Sequence, residues 1–218
     1  MVVILVLLTI AAFFAVDWYA RRRRATVSAA PEAYEPVRTL RNAEAQPLMI
    51  HPGHSWVRIA PDGVAAVGTS SFASCFAGRL AAVDVPQVGA MLSQGQPAWT
   101  LVSSRRRRLT QVMPVDGQVV AVNEELKSDP QLAQRASYDD GWILRVRPRG
   151  MPDRLHNLFG VRLGSVWDDA TRLRLNQVLS PGLGARANDG GEWVPGFGDL
   201  LSDEDWERLK HELFPPAE

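Results

Sequence analysis

The stretch Pro114-Val115-Asp116-Gly117-Gln118-Val119-Val120-Ala121-Val122-Asn123 is the clearest β-strand signal in the chain. It places an Asp-Gly turn directly before a valine-rich run, an order that is typical of a strand leaving a tight turn. Similar short runs, punctuated by Gly and Pro, occur on both sides of it. They cover residues 56–59, 64–68, 79–85, 98–102, 109–112 and 142–146. The sequence therefore predicts a mainly β fold, a flattened or barrelled β-sandwich.

Several motifs on either side of this strand carry a resemblance to a known family. They are, in order, His54-Ser55-Trp56-Val57, the segment Gly78 to Gly89, Asn123, Asp129-Pro130 and Gly141-Trp142. Together they resemble the H protein of the glycine cleavage system, a relative of lipoyl and biotinyl carrier domains. The resemblance covers residues 51–148 and implies a barrelled-sandwich domain of the lipoyl or H-protein type.

The hairpin before Pro114 departs from that family. The family carries its lipoyl group on the lysine of a Glu-Ser-Val-Lys motif at a hairpin tip. Counting back from Pro114 without a gap puts Arg106 at the lysine position. A guanidinium stays protonated, so it does not replace an amine in forming the lipoyl amide. The two lysines of the chain, Lys127 and Lys210, lie elsewhere, and no cofactor is predicted.

The N-terminal residues predict a single transmembrane helix. Residues 2–16 are apolar apart from Thr9, and Met1 to Tyr19 would span roughly 28 Å as a helix. Trp18 and Tyr19 occupy an interfacial position, and the block Arg21, Arg22, Arg23 and Arg24 favours the cytoplasmic side. This predicts an inner-membrane protein with a periplasmic N-terminus and a cytoplasmic domain. A cleaved signal peptide is the competing interpretation, but it would carry its positive charge before the apolar core.

Four regions follow from these patterns. We predict a transmembrane helix at 1–20, a linker at 21–49, the H-protein-like β domain at 50–149 and a helical or irregular extension at 150–218. Within the extension, helices are predicted over 165–179 and from Ser202, where Ser202 and the acidic residues after it form a helix start. Trp193 and Phe197 lie between these helices and are expected to dock on this domain or on a partner.

Composition and local patterns argue against several function classes. The formal net charge is zero, so nucleic acid is not a predicted partner. His51 and His54 lack further ligands nearby, which favours structural roles over a metal site. Cys75 is expected to be a buried thiol. The carboxylate pairs Asp139-Asp140 and Asp168-Asp169 are adjacent only along the chain. No catalytic residues are assigned, and the protein is not predicted to be an enzyme.

The arginine block at the hairpin has three interpretations. It is a solvated tip, a contact with anionic lipid, or a docking surface for carboxylates of a partner, and the last is favoured slightly. The residues predicted to contact lipid or a partner are Arg105, Arg106, Arg107, Arg108, Arg21, Arg22, Arg23, Arg24, Trp18, Tyr19, Trp193 and Phe197.

These features predict a non-catalytic, membrane-anchored scaffold subunit of a larger membrane protein complex, with membrane lipids and other subunits as partners. The layout of one anchor helix, an arginine block and a cytoplasmic β domain is similar to that of the H subunit of bacterial photosynthetic reaction centres. Photosynthetic and respiratory complexes are therefore both candidates. The alternative function is a glycine-cleavage or lipoate-relay protein, or an assembly factor that binds transiently.

Overall fold

The computed structural model of the protein describes residues 48–150, 157–178, 188–189 and 192–214. The predicted anchor at 1–20 lies outside these residues, as do Trp18, Tyr19 and the block Arg21 to Arg24, so the contacts predicted for them stay predictions. Within the described ranges, no helix combines the length and the apolar character that a membrane crossing requires.

The described residues form a β domain followed by a C-terminal extension. The strands are β1 (Leu48–Ile50), β2 (Ser55–Ile59), β3 (Ala65–Thr69), β4 (Leu80–Asp84), β5 (Met91–Leu92), β6 (Pro97–Ser103), β7 (Arg108–Val112), β8 (Gly117–Val122), β9 (Leu144–Pro148), β10 (Phe159–Gly160), β11 (Asn188–Asp189) and β12 (Glu192–Trp193). The helices are α1 (Ser71–Ala77), α2 (Glu125–Ser128), α3 (Leu132–Arg135), α4 (Val161–Val178), α5 (Asp203–Leu213) and a short 3-10 helix (Phe197–Leu200).

Two antiparallel sheets build the β domain. The larger has the strand order β10-β1-β2-β3-β9-β8-β5, and the smaller has the order β4-β6-β7. Alternate residues of both sheets point into one shared core, among them Val57, Val67, Leu101, Leu109 and Val146, each at most 1% exposed. This period-2 burial is the reason that short valine-rich runs fold as strands here. The predicted mainly β fold with C-terminal helices is confirmed.

Helix α1 lies between β3 and β4 and is buried at every position. The hydroxyl of Ser70 accepts a hydrogen bond from the amide of Ala73 at 3.2 Å, which caps the helix start. Because a seven-residue helix has little stability of its own, its apolar side chains must be covered on all sides. The C-terminal extension supplies part of that cover, with the rings of Phe72 and Phe76 against those of Trp193 and Trp206.

Three boundaries differ from those expected. The stretch Asp129 to Arg135, where Asp129 and Pro130 favour a helix start, is helical only over α3, and Asp129 lies between α2 and α3. The carboxylate of Asp129 pairs with Arg135, and this hydrogen bond lowers the pKa of Asp129. Helix α4 begins at Val161, one turn earlier than expected. Strand β1 begins at Leu48, inside the predicted linker, because it pairs with β2 and β10.

Candidate functional site

The β6–β7 hairpin ends in a tight turn formed by Ser104, Arg105 and Arg106. The amide of Arg106 donates to the carbonyl of Ser103 at 2.9 Å, and the amide of Ser103 donates to the carbonyl of Arg107 at 2.9 Å. Arg106 has a φ of +63°, the left-handed conformation that closes three-residue hairpin loops. The turn therefore makes Arg106 the last residue of the hairpin loop, directly before the buried Arg107.

Arg106 is exposed at this point. Among the described residues, none forms a hydrogen bond or an ion pair with its guanidinium. Its neighbour Arg108 is also exposed and pairs with Asp84 across the sheet at 2.7 Å. Both members of that pair remain more than half exposed, so it contributes at most about 1 kcal/mol.

Arg107 points the other way, into the C-terminal extension, and is only 8% exposed. Its Nη1 donates to the carbonyl of Gly198 at 2.6 Å, and its Nη2 donates to the carbonyl of Leu201 at 2.8 Å. Nη2 and Nε also contact Oδ1 of Asp203, at 2.6 and 3.1 Å. The hydrogen bond from Arg107, followed by its charge, lowers the pKa of Asp203. One guanidinium thus joins the hairpin to the start of α5.

Arg105 reinforces the same junction. Its Nη1 donates to the carbonyl of Asp199 at 2.8 Å and lies 3.3 Å from that of Leu201. The Asp199 carboxylate in turn accepts the amide of Arg79 at 2.8 Å, and the Arg79 carbonyl accepts the amide of Ser104 at 2.8 Å. The backbone of Arg79 therefore bridges the hairpin tip and the 3-10 helix.

Two glycines allow this close approach. A Cβ on Gly198 would lie 1.8 Å from the carbonyl oxygen of Phe76, and a Cβ on Gly78 would lie 2.4 Å from Oδ1 of Asp199. Gly78 also has a φ of +94°, which L side chains rarely adopt. The first contact is with backbone, which cannot move aside as a flexible side chain can. The extension can therefore lie directly on the end of α1 only where these residues lack side chains.

Aromatic packing completes the junction. The Trp206 ring stacks on Phe76 with centroids 5.4 Å apart, and its Nε1 donates to the Phe76 carbonyl at 3.0 Å. The guanidinium of Arg107 lies 5.5 Å from the centroid of the Trp206 ring. Trp193 and Phe197 are 3% and 2% exposed and contact Phe72. Trp193 and Phe197 were expected to dock either on this domain or on a partner, and they dock on this domain.

The structure therefore corrects part of the predicted contact surface. Arg107, Trp193 and Phe197 are buried in contacts within the chain, because the extension folds back over α1 and the hairpin. Arg105 and Arg108 are exposed but each has a partner within the chain. Arg106 is the member of the hairpin block whose guanidinium is exposed and has no partner among the described residues. The missed residues are Asp199, Asp203 and Gly198, and the acidic cluster after Ser202 was the available signal for a carboxylate partner.

The histidines and the cysteine have structural environments. His54 is 2% exposed, with Phe72 and Phe214 rings 4.7 and 4.9 Å away. Burial lowers the pKa of His54 to about 3. His51 accepts a hydrogen bond from the amide of Gly53 at 3.0 Å. Burial raises the pKa of the Cys75 thiol to about 12, as expected for a packed cysteine. Among the described residues, no cluster of His, Cys, Asp and Glu could hold a metal ion.

The carboxylate pair on α4 is also used within the chain. Asp168 accepts hydrogen bonds from Arg172 and from Nε1 of Trp193, both at 2.8 Å. Asp169, one residue on, is exposed. The helix predicted over 165–179 would place the pair in its first turn, but α4 begins at Val161 and the pair lies in the body of the helix. Asp168 helps to hold the extension against α1.

Comparisons with known proteins agree on one family. The family model described as "Glycine cleavage H-protein" matches residues 48–161. The glycine cleavage system H protein of Chromobacterium violaceum is 36% identical over 100 residues, which are 46% of this chain and 77% of that protein. The protein of the same name from Saccharophagus degradans is 37% identical over 95 residues, 44% of this chain and 72% of that protein. The crystal structure of a glycine cleavage system H protein from Mycobacterium marinum matches with a TM-score of 0.48 and 27% identity, covering 56% of this chain and 94% of that one.

Proposed function

The chain belongs to the glycine cleavage H-protein family, and from this premise we propose that it is a non-carrier relative of the H protein that acts in glycine cleavage or lipoate relay by binding proteins. It would present the hairpin to enzymes that handle lipoyl groups without itself accepting the group. The observation that carries this proposal is Arg106, which stands at the position of the family's lipoyl lysine and is exposed in the hairpin loop.

Chemistry supports the loss of the carrier role. Forming the lipoyl amide needs an amine that can lose a proton and attack an activated acyl group, and arginine does not provide one. The two lysines are poorly placed to substitute for it. Lys127 lies on α2 and pairs with Glu124, while Lys210 lies on α5 with its ammonium 4.9 Å from the centroid of the Trp206 ring. We infer that the family's modification is absent from this chain.

The contacts between the hairpin and the C-terminal extension favour a binding role over that of a mobile lipoyl carrier. Arg105 and Arg107 tie the hairpin to the extension through hydrogen bonds to backbone carbonyls. A hairpin held from one side in this way keeps Arg106 in a fixed position, which favours recognition of a carboxylate or another anionic group. No catalytic role is proposed.

A competition assay tests the proposal. A lipoate ligase, lipoate and ATP are incubated with the Chromobacterium violaceum H protein, and lipoylation is followed by intact mass. Adding this chain in excess should slow modification of the H protein while the chain itself gains no mass. An Arg106→Ser variant serves as the matched control and should slow it less. If the wild-type chain leaves the rate unchanged at every concentration, it is not a ligand of this lipoate enzyme.

The N-terminal sequence favours a second candidate, a membrane-anchored subunit. We propose it on the apolar run at residues 2–16 followed by Arg21 to Arg24, which is the charge order of a cytoplasm-facing anchor. The full chain should stay with membranes after extraction at alkaline pH, and protease added to spheroplasts should leave the β domain intact. Release into the soluble fraction would remove this candidate and leave the lipoate-relay proposal standing.

A further inference from the structure

Helix α4 carries a line of exposed apolar side chains. Leu163, Val166 and Leu173 are 61%, 60% and 66% exposed, and Ala170 lies exposed between them. In the described part of the chain, six large apolar side chains are exposed, and half of them lie on this one helix. Contiguous apolar surface of this kind usually marks a contact with another molecule.

The exposed line lies on a different side of α4 from the face that packs on the rest of the domain. Leu175 and Thr171 are buried on that other face, and the Trp167 ring contacts Phe159 with centroids 5.7 Å apart. Arg174 further ties the helix to α5 through Glu212 at 2.5 Å. The helix is therefore fixed in place without the exposed line, which remains available for a contact.

The spacing of the line identifies the kind of contact. Residues 163, 166, 170 and 173 follow one another at intervals of three, four and three, which places them on one face of the helix and matches the a and d positions of about one and a half heptads. In that frame Asp169 is a g position and Arg174 is the following e position. We propose that a second copy of this chain pairs with α4 through this line, with the two helices parallel.

Charge decides the partner and the direction. In a parallel pair, each g residue lies beside the e residue five positions later on the other helix. Asp169 of each copy therefore lies beside Arg174 of the other copy, which gives two such contacts. An antiparallel pair centred on Ala170 would instead bring Asp169 against its own counterpart, and like charges repel. Both residues are exposed, and Arg174 is 60% exposed even while it contacts Glu212.

The contact is short. An 18-residue helix is about 27 Å long, and the line occupies little more than half of it. The pair therefore falls at the small end of specific interfaces and should dissociate on dilution. The predicted N-terminal anchor would hold two copies in one membrane in the same orientation, which raises their effective concentration and suits a parallel pair.

Disulfide trapping tests the pairing on the full chain in mild detergent. Cys75 is fully buried, so an introduced cysteine is the reactive one. Ala170→Cys should form a disulfide-linked dimer under mild oxidation, because in-register parallel helices place the two thiols side by side. Gln87→Cys, an exposed position far along the chain, is the control and should cross-link at least about tenfold more slowly. Equal rates for the two variants would overturn the pairing.

Sedimentation velocity across a dilution series gives the second measurement. Leu163→Glu with Leu173→Glu should raise the dimer dissociation constant by at least about tenfold, or about 1.4 kcal/mol. Asp169→Arg should also weaken the dimer, because it places like charges beside Arg174 of the second copy while it leaves the contact between Arg174 and Glu212 intact. Both leucines are exposed, so circular dichroism should be unchanged. A wild-type protein that stays monomeric at all concentrations contradicts the proposal. An unchanged dimer in the leucine variant also contradicts it, and would point to the N-terminal residues as the dimer contact.

Discussion

Nη2 of Arg107 lies 2.6 Å from Oδ1 of Asp203, although 96 residues separate the two in the sequence. The same guanidinium also donates to two backbone carbonyls of the extension. The two ends of the contact differ in exposure, since the Arg107 side chain is 7% exposed and that of Asp203 is 92% exposed. Losing Arg107 would therefore affect hydrogen bonds in the protein interior, whereas losing the Asp203 carboxylate would affect a group that water already reaches.

Replacing Arg107 should therefore cost more than replacing Asp203. Arg107→Met removes the two short hydrogen bonds from the buried guanidinium to the carbonyls of Gly198 and Leu201, which keep only longer ones of 3.2 and 3.3 Å. We expect a loss of about 2–3 kcal/mol in the free energy of unfolding. Asp203→Asn removes a mostly exposed charge and should cost clearly less than Arg107→Met. Urea unfolding followed by tryptophan fluorescence measures both. Arg106→Ser is the matched control, with no expected loss, and an equal loss for Arg106 and Arg107 would refute the buried role of Arg107.

Gly198→Ala should detach the extension from α1. The added Cβ would lie 1.8 Å from the Phe76 carbonyl, so either the 3-10 helix or the end of α1 must move. We expect faster amide exchange at residues 197–213 while strands β8 and β9 stay protected, measured by hydrogen exchange with mass spectrometry. Gly160→Ala is the control, because its Cβ would meet no atom within 4 Å. Unchanged exchange at 197–213 in Gly198→Ala would count against the docking described above.

Acid should destabilise the fold through His54. Its pKa is about 3 in the folded protein and about 6.5 in an unfolded chain, so below pH 6.5 the unfolded state binds the extra proton. The stabilisation that His54 provides is complete above pH 6.5. It is lost at up to about 1.4 kcal/mol per pH unit as the pH falls toward 3. The measurement is urea unfolding from pH 7 to pH 4 for wild type and His54→Gln.

The His54→Gln variant should show a shallower pH dependence than wild type, whatever its stability at pH 7. Carboxylates also titrate in this range, so the difference between the two proteins is the informative quantity. His211→Gln, on the exposed side of α5, is the control and should follow wild type. Parallel curves for wild type and His54→Gln would show that His54 is not the titrating group.

Partner binding should depend on Arg106 more than on the rest of the hairpin block. Replacing all four arginines together would also remove the Arg107 contacts and loosen the extension, so single changes are needed. Arg106→Ser should weaken retention of any co-purifying partner and reduce its salt sensitivity, with no change in stability. The matched variant Arg108→Ser breaks only an exposed pair with Asp84 and should retain the partner. Equal retention in both variants would make Arg106 an ordinary solvated charge.

The sequence supported the β domain well because its information is local. The bounds of β8 match the predicted run at 117–122, and Ser202 caps α5 as expected. The extension was harder, because its contacts join distant residues that no periodicity relates. Nothing near Arg107 shows that its carboxylate partner is Asp203, and nothing near Trp193 shows that Phe72 lies 4.6 Å away. The arginine block consequently suggested an outward surface when one of its members faces inward.

The intact mass of the native protein tells directly whether it carries a lipoyl group, when the protein is purified from cells that contain a lipoylated H protein as an internal standard. Our account predicts that the H protein carries the lipoyl mass and that this chain carries none, because Arg106 occupies the acceptor position and neither Lys127 nor Lys210 lies on the hairpin. A lipoyl adduct on any residue of this chain would contradict the account and restore a carrier role.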